Sequence, residues 1–445
     1  MESEDGPVAG LVSFFAGCGI LDLGLEEAGF RPWLANELHA PFREAYIYAR
    51  QRMGASQPVR GLYDGGFEAF LESDWRRSAL LAAVGEAREA TGLAGFVGGP
   101  PCPDFSIAGT QAGDQGVNGR LTQHYADLIC EVQPDFFVME NVRGLWSTDR
   151  HMEFYLRAKR QLQAAGYHTT DRLLNTLNFG VPQDRWRVIV VGFLGKTFMD
   201  PPASHMARRF PWDSYSGGPE PFGLPWPGQE AFSEDSVRPA PPGVPQELTA
   251  EWWFRRNRVY GHANAGHFFQ PRAALSRFRS IPEGNTGGKS FKRLHRWRYS
   301  PTAAYGNNEV HLHPYKARRL SVAEAMAVQS FPAGFELPGD LTLSDMFKTV
   351  GNAVPFVFAR TVGQMLRQAL SGDLPIGATD GKGSEAVAAR RHKEDGLPLM
   401  VANGMANGTA APGNHHVSVR KPVRGSLPGM PPPVVRDLFE AGLAV

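Results

Sequence analysis

The chain has 445 residues, 42% of them hydrophobic and 20% charged, with a formal net charge of +1. That length can bury one large core or two smaller ones, and the near-neutral balance excludes a uniformly basic nucleic-acid coat. Three cysteines (Cys18, Cys102, Cys130), none in a CxxC pair, exclude a disulfide framework and a zinc cluster; with an acidic N-terminus unlike a signal peptide and no apolar run of about 18 residues, they place the chain in a reducing cytoplasm.

The elements follow in chain order. Gly10 to Ala16 is a short apolar run before glycines and reads as a buried strand. Leu21 to Ala28 has helical spacing, with Leu21, Leu25 and Ala28 on one face. Arg31 to Asn36 reads as a second strand. Leu93 to Val97 and Phe136 to Met139 are further apolar runs, each ending near a candidate site residue. Arg187 to Phe193 is the clearest buried strand. Strands alternating with helical stretches predict an α/β fold with a mostly parallel sheet and helices on both faces. After about residue 195 Pro, Gly, Trp, Arg and His dominate, so 196–315 is expected to form a smaller, loop-rich domain. The stretch 316–370 then returns to the first domain (1–195), with a helix over Arg319–Val328 and another over Ala353–Leu370 after a Gly-Asn-Ala-Val-Pro turn. No aromatic residue occurs from Ser371 to Leu438, and 371–445 is expected to be a disordered tail.

Candidate site residues cluster at the predicted strand ends, where ligands gather in open α/β sheets. Gly17, Gly19 and Gly24 fall at a strand-to-helix turn, where glycine lets a ligand approach the backbone. Glu37 ends the next strand, where a carboxylate can bind ribose hydroxyls. The spacing is not GxGxxG, so a nucleoside cofactor without a pyrophosphate fits better, which points to S-adenosyl-L-methionine. Asp64 lies in a Leu-Tyr-Asp-Gly-Gly turn. Cys102 follows Gly99-Pro-Pro at the end of a strand, which carries its thiol to the carboxyl edge of the sheet. A thiol is only a few per cent thiolate at neutral pH, and a nearby cation such as Arg187 would raise that fraction. Cys18 and Cys130 read as packing residues. Glu140 ends an apolar strand and needs partners there, with Arg185 and Arg187 the candidates. Its expected role is to engage ring nitrogen 3 of a cytosine and make carbon 6 more electrophilic. Residues 252–319 carry fourteen Lys and Arg against two acids, Glu283 and Glu309, with interleaved aromatic residues. Such a stretch suits phosphate contact.

Six segments in order carry a resemblance: Phe15-Ala-Gly-Cys-Gly19, Gly99-Pro-Pro-Cys102, Glu140-Asn-Val142, Gln183-Asp-Arg-Trp-Arg187, Arg319-Leu-Ser-Val-Ala-Glu-Ala325 and Gly351-Asn-Ala-Val-Pro355. Together they resemble the bacterial DNA (cytosine-5)-methyltransferases over 10–195 and 316–370, with the intervening stretch as target-recognition domain. The resemblance implies methyl transfer from S-adenosyl-L-methionine to carbon 5 of a flipped cytosine in double-stranded DNA, through a covalent cysteine adduct. It implies Phe15, Ala16, Gly17, Cys18, Gly19, Glu37, Pro101 and Asn352 at the cofactor, with Asn352 bracing the loops. Cys102 would be the nucleophile and Glu140 the acid, with Arg185 and Arg187 orienting Glu140 and the pyrimidine oxygen. Ser106, Arg293, Arg296 and Arg298 would meet DNA. The expected enzyme is a cytoplasmic, nucleoid-associated monomer that can be paired with a cognate restriction endonuclease. Two positions depart from the pattern: Pro103-Asp104 replace the usual Gln after Pro-Cys, and Ile20 stands where a glycine is common. An RNA methyltransferase of the same architecture and a catalytically silent DNA-binding homologue are the rival readings.

Overall fold

The computed structural model describes residues 6–101, 117–215, 220–271, 275–288, 290–302, 305 and 310–372. The chain divides into two compact units, Met1–Ala388 and Ala389–Val445, and the second lies wholly outside the described residues, as does the expected tail from 373 onward.

The strands are β1 (Gly10–Phe14), β2 (Arg31–Asn36), β3 (Leu62–Tyr63), β4 (Ala94–Gly98), β5 (Phe136–Val142), β6 (Tyr167–Asn175), β7 (Gln183–Asp184), β8 (Trp186–Leu194), β9 (Phe291–Arg293), β10 (Ser300–Pro301) and β11 (Val310–Leu312). The helices are α1 (Ile20–Glu27), α2 (Ala40–Met53), α3 (Ala69–Glu72), α4 (Asp74–Thr91), α5 (Val117–Val132), α6 (Asp149–Ala164), α7 (Ala203–Arg208), α8 (Ala250–Arg256), α9 (Leu275–Ser280), α10 (Val322–Val328), α11 (Leu343–Asn352) and α12 (Phe356–Leu370).

Seven strands form the central sheet in the order β3-β2-β1-β4-β5-β8-β6. The first five run parallel, β8 runs against them, and β6, antiparallel to β8, runs with the first five at the sheet edge. Every residue of β1 and β4 is buried, as expected for strands covered on both faces. One apolar cluster joins α4, α5 and α6 to one face, and another joins α1, α7 and α12 to the other.

Strand β5 shows why the sheet closes tightly. Phe136 pairs with Gly95 on β4 and Phe137 with Gly192 on β8. Consecutive strand residues point to opposite faces, so each ring lies over a glycine on a different side of the sheet. A Cβ at Gly95 or Gly192 would stand 2.1 or 2.2 Å from those rings. The same device joins α1 to α12: a Cβ at Gly24 would lie 2.6 Å from that of Ala359, and one at Gly363 2.7 Å from that of Ala28.

The chain leaves β1 toward β2 on one side and leaves β4 toward β5 on the other. This reversal opens a crevice at the carboxyl ends of β1 and β4, the place where ligands bind in such sheets.

Residues just after 195 belong to the sheet. Ala203, Met206, Phe210 and Trp212 pack on the β6–β8 face, because α7 is amphipathic and covers antiparallel strands that would otherwise meet water. Beyond 220 the chain builds its own small cores. Trp253, Phe254 and Val259 meet Leu294, Leu320 and α10, while Phe278 meets Val310 and Leu312 beneath the parallel β9–β11 pair. Parallel pairing of β10 with β7, Ser300 to Gln183 and Pro301 to Asp184, ties this region to the strand entering β8.

The C-terminal helices start later than expected, at Val322 rather than Arg319 and at Phe356 rather than Ala353, and α11 precedes the turn. Gly351 and Asn352 end α11, and the turn is only Ala353–Pro355 before α12. Apolar residues at Met346, Phe347 and Val350 give α11 a buried stripe that carries the helix up to the proline-bearing turn.

Candidate active site

The loop after β1 is bent by backbone conformation. Phe15 has φ 54, Gly17 φ 57 and Gly19 φ 81. A positive φ is costly for phenylalanine, and such strain persists where the surroundings fix it, commonly at a functional site. The Phe15 ring stacks on Phe67 with centroids 4.9 Å apart. Nothing lies within 4 Å of where a Gly17 Cβ would be, so the space over this turn is open. The buried Glu37 at the end of β2 accepts from the Gly17 N–H (2.8 Å) and the His39 N–H (2.8 Å). Each carboxylate oxygen retains a lone pair for a further donor. Phe15, Ala16, Gly17, Cys18, Gly19 and Glu37 thus lie together at the carboxyl ends of β1 and β2. Asp64 is exposed in its turn and faces Arg76 at 3.6 Å.

Cys18 is buried, and desolvation pushes its thiol up to about 12; Cys130 is pushed up to about 11 by the same cause, with Asp127 adding to it. Both are neutral packing thiols at physiological pH. Cys102 and Ser106 lie outside the described residues, and Pro101, exposed, is the last described residue before them.

The register of the sheet places Glu140 beside that point. Gly98 pairs with Met139, so Gly99 is level with Glu140, and a Cβ on Gly99 would stand 2.9 Å from Glu140 Oε2. Arg187 is on the neighbouring antiparallel strand, opposite Val142, which shares a face with Glu140. Its Nε is 2.6 Å from Glu140 Oε1, and both side chains are about one-tenth exposed. A carboxyl group so enclosed is costly to bury without a partner, and Arg187 supplies one.

Arg185 does not join this pair. Its guanidinium is fully buried and donates to the Gly351 carbonyl through Nη1 and Nη2 (3.1 Å each) and to Gln329 Oε1 (3.1 Å). Desolvation, then the charge of Arg187, holds it well below the usual arginine range. Gln329 in turn donates to the Val350 carbonyl (2.5 Å). Arg185 therefore satisfies the end of α11 rather than orienting Glu140, because that buried helix end needs donors. Asn352, expected as a brace, is exposed and makes no side-chain hydrogen bond among the described residues.

The basic stretch is also redistributed. Arg293 is buried and donates to the carbonyls of Ile281 (2.9 Å), Lys316 (3.1 Å), His313 and Phe278. Arg296 is buried against Glu283 (2.8 Å). Both expected DNA contacts are thus internal struts, since a strand-poor domain needs donors for its loop carbonyls. Acids from outside 252–319 neutralise others: Glu251 faces Arg255 (2.8 Å), Glu234 faces Arg279 (3.2 Å), Asp235 faces Lys316 (2.9 Å) and Glu324 faces Arg318 (2.7 Å). Arg298 stays half-exposed, its guanidinium 5.1 Å from the Tyr299 ring centroid. Sequence reasoning missed Gln329, which lies outside every segment singled out; its buried amide shows only in the fold.

Residues 86–368 match the family described as C-5 cytosine-specific DNA methylase. The chain is 48% identical over 371 residues to the Type II methyltransferase M.NmeDI of Neisseria meningitidis serogroup C, covering 83% of this chain and 86% of that one. It is 28% identical over 369 residues to the Type II methyltransferase M.FnuDI of Fusobacterium nucleatum, covering 81% and 95%. In fold it is similar to a crystal structure described as a DNA modification methyltransferase encoded within an E. coli prophage (TM-score 0.55, 19% identity, 82% and 99% covered). The chain belongs to the C-5 cytosine-specific DNA methylase family and is a DNA cytosine-5-methyltransferase.

Proposed function

We propose that this enzyme methylates carbon 5 of a cytosine flipped out of a specific duplex site, using Cys102 as a covalent nucleophile and S-adenosyl-L-methionine as donor. One observation carries the reading. Glu140, held by Arg187 at 2.6 Å, lies level with Gly99 and hence beside the Pro-Pro-Cys102 loop. A base held by its Watson–Crick edge at Glu140 would present its ring to a thiol in that loop. Carbon 6 is covered within a stacked duplex, so the base must leave the helix before a side chain can attack it. With Cys18 buried, Cys130 half-buried and both neutral, Cys102 is the remaining thiol for the attack.

The open turn at Gly17 and the Glu37 carboxylate fit a nucleoside with vicinal hydroxyls, with Phe15 and Pro101 at the margin. When bound, S-adenosyl-L-methionine supplies an electrophilic methyl group. The Cys102 thiolate adds to carbon 6 while Glu140, as its acid form, gives a proton to ring nitrogen 3 that it takes back when the adduct resolves, and carbon 5 becomes nucleophilic. After carbon 5 is methylated, a water removes its proton, the electron pair re-forms the 5,6 double bond, and Cys102 leaves as thiolate. Arg187 keeps Glu140 in place throughout.

We place the catalytic domain at 6–215 and 322–372 and target recognition at 220–320, with Arg298 rather than Arg293 or Arg296 as a DNA contact. The Type II relatives support a role as the modification partner of a restriction endonuclease. A duplex carrying 5-fluorocytosine tests the mechanism, because fluorine at carbon 5 cannot leave as a proton. The wild type should form a cofactor-dependent covalent complex and Cys102→Ala none; an adduct with the variant refutes the assignment. Bisulfite sequencing of DNA from cells expressing the chain then identifies the modified site.

A further inference from the structure

Beneath the turn at Phe15–Gly19 lies a buried polar group outside the candidate site. Asp22, in the first turn of α1, is buried and accepts from two hydroxyls. Ser13 Oγ, on β1, donates to Oδ1 at 2.6 Å, and Tyr46 OH, on α2, donates to Oδ2 at 2.8 Å. The Ser13 bond closes the strand–turn–helix loop across nine residues. The Tyr46 ring fills the space under Gly19, where a Cβ would stand 2.7 Å from its edge. Behind the ring, the Arg50 guanidinium lies 5.2 Å from its centroid and is held by Glu26 and the Ser56 carbonyl.

A buried carboxylate accepting two hydroxyl hydrogen bonds is an unusual choice for packing alone, since apolar residues of similar volume would fill the space without desolvating a charge. What distinguishes this arrangement is direction. Its three elements meet under a turn with three positive-φ residues in five, a density found at no other turn among the described residues. Such a conformation survives only where its surroundings over-determine it. Gly17, whose N–H is fixed by Glu37 on the open side, is two residues from Gly19, which is fixed by Tyr46 on the buried side.

We propose that Asp22 and Tyr46 are positioning residues for the cofactor turn: they do not touch the cofactor, but hold Gly17–Gly19 in the shape that binds it. The inference rests on the reading of this turn as the S-adenosyl-L-methionine site.

The test uses the full chain with Tyr46→Phe and Asp22→Asn, both close in size to the native residue. Calorimetric titration with S-adenosyl-L-methionine, without DNA, should show Kd raised about tenfold in each variant. The KM for the cofactor should rise in step, while kcat at saturating cofactor and the Kd for duplex DNA stay within twofold of wild type. The double variant should lose little more than either single one, because the two groups share one hydrogen bond. An unchanged cofactor Kd in folded variants overturns the inference. So does a parallel loss of cofactor and DNA binding, which is what simple destabilisation would give. If the wild type itself binds no cofactor, the reading of the turn fails with it, whereas wild-type binding matched by the variants removes only the positioning role.

Discussion

Arg187 and Glu140 form an ion pair across two antiparallel strands, with Nε 2.6 Å from Oε1 and little solvent access to either. Strand alternation puts both on one face, and the β4–β5 register sets that face beside Gly99. Glu140→Gln should keep the shape but lose the charge. Methyl transfer is expected to fall by about 10²–10⁴-fold. Arg187→Met leaves a carboxylate buried without a partner, at a cost of about 3–5 kcal/mol. Single-turnover methylation and urea unfolding of the two variants check both effects, and a Glu140→Gln enzyme of near-native rate would exclude the proposed acid role.

The three thiols should separate by reactivity. A thiol at about 12 is ionised in roughly one part in 10⁴ at pH 8, so Cys18 should resist iodoacetamide in the folded protein. Cys130, at about 11 and half-buried, should react slowly. Cys102 should be alkylated first, and its alkylation should abolish methyl transfer. Peptide mapping against residual activity gives the order, and inactivation that tracks Cys18 labelling would reverse the assignment.

Arg185 is expected to matter through stability. Arg185→Leu leaves the Gly351 carbonyl and Gln329 amide oxygen without donors inside the protein, each worth about 1–3 kcal/mol. Lysine cannot reproduce the planar fork and should rescue only part of the loss. Denaturant midpoints should order as wild type, Arg185→Lys, Arg185→Leu. Equal midpoints would mean that the end of α11 finds other donors.

The arginines of the target region divide into struts and candidate contacts. Arg296→Ala leaves the buried Glu283 with only the residue-296 N–H and the more distant Arg238 (3.8 Å), and should destabilise the region with no change in the salt dependence of DNA binding. Arg298→Ala should leave stability within about 0.5 kcal/mol. It should lower the slope of log K against log salt by about one if its guanidinium meets a phosphate. Fluorescence anisotropy across a salt series distinguishes the two.

Acid should loosen the same region. Burial lowers His295 to about 4 from an ordinary 6.5. Its folded-state pKa is depressed, so the unfolded chain binds the extra proton between those values, and stability falls as pH drops from about 6.5 to 4. The contribution is about 3 kcal/mol, from roughly 1.4 kcal/mol per unit. His295→Asn should flatten the pH dependence of the unfolding free energy across that window, and an unaltered slope would assign it to other groups.

Much of the architecture was legible in local pattern. The apolar runs at 10–16, 31–36, 93–97 and 187–193 correspond to β1, β2, β4 and β8, because strands covered on both faces must be continuously apolar. Strand β6 escaped notice for the opposite reason: its sequence, Tyr-His-Thr-Thr-Asp-Arg, is half-polar and belongs to a sheet edge. The reversed course of β8 was equally invisible, since strand direction leaves no mark on composition. In the site, Glu140 and Arg187 were recognisable as partners, whereas Arg185, two residues away, was not recognisable as a ligand for a helix end.

What the amino-acid order determined alone was the chemical inventory: a glycine-bent turn, a proline-flanked thiol, a carboxylate ending an apolar strand, and the family that these imply. Tertiary structure decided how each charge is used. Arg187 meets a carboxylate, Arg185 meets carbonyls, Arg293 and Arg296 hold loops together, and Arg298 stays half-exposed beside Tyr299. The reason is that a guanidinium's partners are fixed by register and by distant segments such as Gly351 and Glu283. Burial then decides whether its charge serves the interior or a ligand.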